Sequence, residues 1–395
     1  MAERNEKRKN EWGGKEMNHQ DQIRGCIVGG AAGDALGYAI EFKNEDEIFS
    51  RYGEAGIAAY EPDKNGKALI SDDTQMVLFT ANGLLVGDTR GALRGIQAEP
   101  RHYVARAYQD WLHTQEAGWK ERSAYSDYDS PAYSSWLMDV PELYHRRAPG
   151  NTCLAALEDQ KRKKPDIHDY IRTPQNNRKG CGGVMRVAPM ALDYGDIDIR
   201  QLDLEGAQIA AITHGHSLGY MPAAVLTHVI HRIVFPEKEM VLKDIVLEAR
   251  DTAAELFRED PYLPKLTEII NRAVELSENG EPDLSNIHRL GEGWVAEEAL
   301  AIALYCALRH QDDFSAGIIA AANHKGDSDS TAAVAGNILG ARLGYSAMED
   351  KWKDQLEMLD VLLEIADDLD HGCQMSEYSK KEDKNWIRKY VHMRR

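Results

Sequence analysis

Apolar residues recur at helical spacing through most of the chain that follows residue 20. The pattern is clearest in MPAAVLTHVIHRIV (221–234), VLKDIVLEARDTAAELF (241–257), KLTEIINRAVELSE (265–278), AEEALAIALYCALRH (296–310) and KWKDQLEMLDVLLEIADDL (351–369). Such spacing is typical of amphipathic helices, and the frequent alanine favours the same structure. Alternating Val, Ile and Thr runs, which would indicate strands, are scarce. The pattern predicts an all-α protein, a single orthogonal helical bundle larger than four helices.

Glycine and small polar residues interrupt this helical pattern at several places. We interpret these segments as connections between helices, where binding and catalytic residues concentrate. The segments are 25–42, 71–75, 149–152, 176–189, 213–216, 291–294 and 324–331.

No Pro/Gly/Ser-rich linker and no repeat of fixed period divides the middle of the chain. With 395 residues, of which 43% are hydrophobic, the chain can bury a sizeable core. We therefore expect one catalytic domain over residues 21–372. Residues 1–20 are predicted to form a mobile polar arm, and residues 373–395 a polar C-terminal tail.

Charge and cysteine content narrow the possible classes of function. The chain has 47 Lys and Arg against 65 Asp and Glu, a net charge of -18, which disfavours general binding to nucleic acid phosphates. Its five cysteines form no Cys-x-x-Cys pair, so neither a disulfide framework nor a structural zinc site is expected, and a reducing compartment fits. The sequence shows no secretory signal and no apolar run long enough for a membrane. These features predict a cytoplasmic protein without a membrane partner.

Two acidic motifs carry the candidate chemistry. They are SDDT at 71–74 and GDSDST at 326–331, and each is expected at the start of a helix. Helix capping would explain one such motif, but each offers four or five adjacent oxygen side chains, and crowded carboxylates repel unless a cation neutralises them. Two motifs on one chain therefore favour a two-metal site with Mg²⁺ or Mn²⁺. His214 and His216 are candidate ligands for a softer metal.

In kind and in order, the motifs resemble those of the ADP-ribosylglycohydrolase family. That family includes the dinitrogenase reductase-activating glycohydrolase and the ADP-ribosylarginine and ADP-ribosylserine hydrolases. The resemblance covers about residues 22–345 and rests on GDALGYAIEF, SDDT, PGNT, GCGGVMRVAP, THGH, GEGW and GDSDST. It implies the family's helical fold, with a metal site at loops and helix N-termini, and removal of ADP-ribose from a modified side chain.

The resemblance also implies a set of metal ligands. Two Mg²⁺ or Mn²⁺ ions would be held by Ser71, Asp72, Asp73, Asp327, Asp329 and Ser330. Glu41 matches a family glutamate near the metals, and Glu41, Asp72 and Asp329 are the candidates for moving protons. Asp34 is interpreted as a structural residue of a glycine-rich turn rather than as a ligand.

Substrate contacts are expected from three further motifs. The glycines at 180, 182 and 183 would let backbone N–H groups approach a diphosphate, although close helix packing also explains them. Lys179 and Arg186 either add charge near the diphosphate or are solvated, and Trp294 either packs on the substrate or lies in the core. The substrate-binding residues implied by the resemblance are Lys179, Gly180, Cys181, Gly182, Gly183, Val184, Met185, Arg186, His214, Gly293 and Trp294.

The bond that is cut is predicted from one detail of the second motif. Its Asp-Ser-Asp-Ser order is more similar to that of arginine-specific members, which favours an N-glycosidic bond to arginine in an ADP-ribosylated protein. ADP-ribosylserine and O-acetyl-ADP-ribose are alternative substrates. A non-catalytic protein that binds ADP-ribose or a toxin, and a metal-dependent phosphoesterase, are alternative functions. The chain is expected to be monomeric. Its N-terminal arm either contacts a protein partner through Trp12 or is a solvated tail.

Overall fold

The computed structural model describes residues 18–95, 98–121, 135–192, 198–378 and 382–391. Over these residues the chain is helical and contains no strand, only two isolated β-bridges. The α-helices are α1 (His19–Tyr38), α2 (Glu45–Tyr52), α3 (Asp72–Arg94), α4 (Pro100–Glu116), α5 (Asn151–Lys163), α6 (Ile199–Ala211), α7 (Ser217–Val234), α8 (Leu242–Leu256), α9 (Leu263–Ser277), α10 (Asp283–Leu290), α11 (Ala296–Arg309), α12 (Phe314–Ala322), α13 (Ser328–Leu343), α14 (Leu359–His371) and α15 (Lys384–Tyr390). Short 3-10 turns occur at Trp136–Asp139, Pro141–Tyr144, Cys181–Gly183, Ala188–Leu192, Tyr345–Ala347 and Asp350–Trp352. The prediction of an all-α fold is confirmed.

The prediction that residues 25–42 connect two helices is wrong. Most of this segment forms α1, whose glycines at 25, 29, 33 and 37 lie on one face and pack against the backbone of α13. A Cβ atom at Gly33 would lie 2.0 Å from the carbonyl oxygen of Ala332. Glycine costs a helix roughly 1 kcal/mol per residue relative to alanine, and here close helix packing overrides that preference. As a result, α1 and α13 lie backbone to backbone at the centre of the fold.

Both acidic motifs begin helices, as the sequence predicts. Ser71 precedes α3, and its hydroxyl oxygen accepts a hydrogen bond from the backbone N–H of Asp73. Asp327 precedes α13 in the same position. Because α1 packs along α13 and also contacts α3, the N-terminal ends of α3 and α13 meet beside the C-terminal half of α1.

The structure describes only part of the predicted arm and tail. Residues 1–17, and with them Trp12, lie outside the described part of the chain, while residues 19 and 20 already belong to α1. The C-terminal segment is not only polar, because α15 buries Trp386 and Tyr390. The Trp386 indole Nε1 donates to the Thr89 hydroxyl oxygen of α3 at 2.8 Å. These aromatic residues lie four positions apart, which places them on one face of α15. No helix within the described residues is long and apolar enough to span a membrane.

Candidate functional site

A buried acidic cluster lies where α1, α3 and α13 meet. The start of α3 contributes Asp72 and Asp73, the start of α13 contributes Asp327 and Asp329, and Glu41 follows the end of α1. All five carboxylates are buried. The 149–152 segment borders them, because the backbone N–H of Gly150 donates to Asp72 Oδ2 at 3.2 Å. The structure therefore brings the two predicted acidic motifs and Glu41 together.

The proximity of these carboxylates changes their protonation. Burial, and then the negative charges of Asp327 and Asp72, raise the pKa of Glu41 to about 8. Burial likewise raises the pKa of Asp72 to about 8. The pKa values of Asp73 and Asp329 are raised well above the usual range by burial and then by neighbouring carboxylates. Opposite charge from a bound cation would relieve this repulsion.

Asp34 anchors the start of α3 from the neighbouring helix α1. Its carboxylate accepts hydrogen bonds from the backbone N–H of Ser71 at 3.0 Å, from the backbone N–H of Thr74 at 3.1 Å and from the Thr74 hydroxyl. Burial raises the pKa of Asp34 and these hydrogen bonds oppose that effect, so that the pKa is about 6. Asp34 thus has the structural position that we predicted, but it lies within a helix rather than in a turn.

The glycine loop at 180–183 and the loop at 291–295 lie side by side next to the cluster. The backbone N–H of Cys181 donates to the carbonyl oxygen of Trp294 at 3.3 Å, and the N–H of Ala296 donates to that of Lys179 at 3.0 Å. The Cys181 thiol donates to Asp327 Oδ2 at 2.7 Å. Gly293 has a positive φ of 84°, and a Cβ atom there would lie 2.7 Å from Thr331 Cγ2. Both loops therefore border the acidic cluster directly.

His214 lies behind the glycine loop. Its Nδ1 is 2.8 Å from the Thr213 hydroxyl oxygen, and burial lowers its pKa to about 3, so the ring is neutral. A Cβ atom at Gly182 would lie 3.0 Å from both His214 Cε1 and Cys153 Sγ. Close packing thus accounts for the glycine at position 182, and His214 supports the loop from within.

Two exposed aromatic rings stand beside the cluster. Trp294 is 40% exposed, so the alternative that it lies in the core is wrong. Its ring stacks on Phe42, which is 75% exposed, with ring centroids 6.4 Å apart and an angle of 21° between the planes. Sequence reasoning missed Phe42, although it directly follows the candidate residue Glu41.

A protein-family model described as ADP-ribosylglycohydrolase matches residues 15–379 of the chain. The chain belongs to the ADP-ribosylglycohydrolase family. This confirms the predicted family, and membership supports hydrolysis of ADP-ribose from modified substrates.

The individual relatives described below share less than 30% of their aligned residues with this chain. It is 29% identical over 220 residues to the protein named ADP-ribosylhydrolase ARH3 of Homo sapiens, a match that spans 49% of this chain and 58% of the human protein. It is 22% identical over 350 residues to ADP-ribosyl-[dinitrogen reductase] glycohydrolase of Rhodospirillum rubrum, covering 86% of this chain and 91% of that one. A solved structure titled ADP-ribosylglycohydrolase-related protein complex superposes with a TM-score of 0.58 at 23% identity, covering 89% of this chain and 97% of the other. At that identity the structural likeness supports the fold alone.

The oxygen ligands of the acidic cluster fit a divalent cation. Glu41 Oε2 and Asp73 Oδ2 are buried and have no hydrogen-bond partner among the described residues. Buried carboxylate oxygens without partners are costly, and hard cations prefer oxygen ligands. As the described side chains stand, however, no three His, Cys, Asp or Glu groups converge closely enough to hold an ion. His216 is engaged elsewhere, because its Nδ1 accepts from the backbone N–H of Leu218 and caps α7.

Several residues that we predicted to contact the substrate are buried in the structure. Arg186 is fully buried, so the alternative of a solvated side chain is wrong. It donates to the Thr213 hydroxyl at 2.7 Å and lies over the Tyr108 ring at 4.4 Å from the centroid. The side chains of Val184 and Met185 are also buried.

Lys179 is partly buried and forms an ion pair, so it is not simply solvated. Its ammonium pairs with Glu297, a fully buried carboxylate at the start of α11, and Lys265 Nζ lies 2.9 Å from the same oxygen. This ion pair ties the glycine loop to α11 and α9. Glu297 is therefore a second residue that sequence reasoning missed, because its partner on α9 is not adjacent in sequence.

Proposed function

We propose that the chain hydrolyses the N-glycosidic bond between ADP-ribose and an arginine side chain of a modified protein, using two Mg²⁺ or Mn²⁺ ions. The observation that carries this proposal is the buried cluster of carboxylates at the starts of α3 and α13, bordered by the glycine loop. Family membership supports the coarser part, hydrolysis of ADP-ribose from a substrate. The printed name of the Rhodospirillum rubrum relative, which describes an ADP-ribosylated protein as its substrate, supports a protein substrate here.

Six side chains from two helix starts would hold the metal ions. They are Ser71, Asp72, Asp73, Asp327, Asp329 and Ser330. When bound at such a site, divalent cations lower the pKa of coordinated water and polarise substrate oxygens. Asp34 would keep the α3 ligands in place through its hydrogen bonds to the backbone of that helix.

Glu41 is the residue that we favour for proton transfer. Without a bound cation, burial and then adjacent carboxylates raise its pKa to about 8, and burial is the cause that remains when cations neutralise those carboxylates. Its Oε2 has no hydrogen-bond partner within the described structure and can therefore hold or release a proton. Asp72 and Asp329 remain further candidates, since burial raises their pKa values as well.

The two loops beside the cluster would orient the substrate. The glycine loop would bind the diphosphate through backbone N–H groups, because glycines carry no side chain that would keep the backbone away from the phosphates. Gly293 would line the neighbouring side, with Trp294 at the end of the substrate that carries the modified side chain. The modified protein itself would remain outside the site, and the arm of residues 1–20 is proposed to contact it. We also propose that the catalytic chain acts as a monomer.

The bond and the reaction type are tested by product analysis. Two peptides that differ only in an arginine-linked or a serine-linked ADP-ribosyl group are incubated with the protein and Mn²⁺, and the products are separated by chromatography. We expect free ADP-ribose, released much faster from the arginine peptide. Release from the serine peptide alone would contradict the arginine assignment. AMP or phosphate would indicate a phosphoesterase, and tight binding of ADP-ribose without release would indicate a binding protein.

A further inference from the structure

Phe42 has no role in the function described above, and Trp294, which stacks on it, is placed there only as a residue that lines the substrate. Large apolar side chains with this much exposure are few among the described residues, and these two lie against each other. Their ring planes differ by only 21°, and both rings remain open to solvent. Adjacent apolar side chains that remain exposed on a protein surface often mark a binding site.

Both rings are attached next to the acidic cluster. Phe42 directly follows Glu41, whose carboxylate interacts with the charges of Asp327 and Asp72. Trp294 directly follows Gly293, where a Cβ atom would lie 3.4 Å from Asp327 Cβ. The backbone from which each ring extends therefore lies next to the acidic cluster, where the bond to ADP-ribose is expected to break.

The aromatic faces of the pair indicate what kind of group it would receive. The face of an aromatic ring attracts cations, whereas bound divalent cations would offset the charge of the neighbouring carboxylates. A guanidinium group is planar, always charged and well suited to stacking on aromatic faces. In an ADP-ribosylated arginine, this group is bonded directly to the reacting ribose.

We propose that Phe42 and Trp294 form an acceptor platform that binds the guanidinium group of the modified arginine. The proposal rests on the proposed function and adds the residues that select the acceptor. The platform would contact the leaving side chain and not the adenine. Adenine is uncharged and is separated from the reacting ribose by the diphosphate and the second ribose, whereas the acceptor is attached to that ribose. A serine acceptor offers neither the charge nor the plane that such a platform recognises.

The test uses the full chain with Phe42→Leu, Trp294→Leu and the double variant, assayed on the matched arginine-linked and serine-linked peptides. Phe42→Tyr and Trp294→Phe keep the aromatic faces and serve as conservative variants. Tyr378→Leu is the control for loss of an exposed aromatic ring. Tyr378 lies beside the C-terminal end of α3, roughly 30 Å from the acidic cluster at 1.5 Å per helical residue.

We expect each Leu variant to lose about two- to fivefold, and the double variant about tenfold, in kcat/KM on the arginine peptide. The loss should appear mainly in KM, because the rings bind the acceptor and move no proton. The serine peptide should change less than twofold, the affinity for free ADP-ribose should be unchanged, and the conservative variants and Tyr378→Leu should match the wild type.

Equal losses on both peptides, or weaker binding of ADP-ribose, would overturn the proposal, because the rings would then hold a part common to both substrates. No loss in the double variant would also overturn it. If the wild type releases nothing from either peptide, the proposed function fails on its own. Titration of the arginine peptide then decides the platform: tighter binding to the wild type than to the double variant supports it, and equal binding overturns it.

Discussion

Replacing Gly33 by alanine adds one methyl group to α1 where this helix crosses α13. The new Cβ atom would lie 2.0 Å from the Ala332 carbonyl oxygen, whereas ordinary van der Waals contact begins at 3.4 Å. The obstacle is backbone, so it cannot rotate away as a flexible side chain would. The two helices must therefore separate locally by about 1.4 Å, the difference between these distances.

The expected change in the free energy of unfolding combines two opposing contributions. Overpacking a close contact costs about 1–3 kcal/mol, and a backbone collision lies at the upper end of that range. Alanine is the better helix former and offsets about 1 kcal/mol. We therefore expect Gly33→Ala to lower the free energy of unfolding by about 2 kcal/mol. Because the two helices also position Asp34 and the start of α13, a shift of about 1 Å should slow the reaction on the order of 100-fold.

The assay for this prediction combines urea unfolding, followed by circular dichroism, with release of ADP-ribose from the arginine peptide. Gly280→Ala is the matched control, since a Cβ atom at Gly280 meets nothing within 4 Å and its φ is not positive. That variant should remain within about 0.5 kcal/mol of the wild type and keep its activity. If Gly33→Ala behaves like Gly280→Ala in both measurements, the close contact between α1 and α13 does not support the site as we describe it.

Three further predictions concern the cluster and the N-terminal arm. Asp34→Asn should destabilise the protein by about 2 kcal/mol in urea unfolding, because an amide NH₂ would face the backbone donors of α3. The control Asp354→Asn changes an exposed residue and should be neutral, so equal stability of the two variants would contradict the anchoring role. In chelator, the free energy of unfolding should fall as pH rises from 7 to 8, because Glu41 and Asp72 bind more protons in the folded state, where their pKa values are about 8, than in the unfolded state, where they are near 4. Buried neutral histidines contribute in the opposite direction only below about pH 6.5. A rise in thermal stability between pH 7 and 8 would therefore argue against the buried cluster. Deleting residues 1–18 should leave hydrolysis of a small ADP-ribosyl substrate intact, since every candidate ligand lies later in the chain, and a collapse of that rate without unfolding would place the arm in the site.

Local patterns in the sequence were sufficient for the helical fold and for the positions of the acidic motifs. Apolar spacing depends on the 3.6-residue helical period, and capping chemistry depends on a few neighbouring residues, so both can be read without the tertiary structure. The segments around Ser71 and Asp327 begin helices as expected. The family motifs then predicted which helix starts would meet.

Contacts between distant parts of the chain explain what the sequence did not predict. The glycines of α1 suggested a connection because glycine weakens isolated helices, and only the contact with α13 accounts for them. Arg186 is buried because Tyr108 of α4 and Thr213, which follows α6, come from other parts of the chain to surround it. Phe42 gained significance only from its stacking on Trp294, which lies far along the chain.

The most direct test of the central claim is the release of ADP-ribose from an arginine-modified protein as a function of divalent cation. Wild-type protein, the ligand variant Asp327→Ala and the exposed control Asp354→Asn are assayed in chelator and then with added Mn²⁺ or Mg²⁺. We predict no release in chelator, full release by the wild type and by Asp354→Asn once cation is restored, and little release by Asp327→Ala at any cation concentration while its circular dichroism stays unchanged. Full release by the wild type in excess chelator, or by Asp327→Ala with cation, would contradict a cation-dependent site at the acidic cluster.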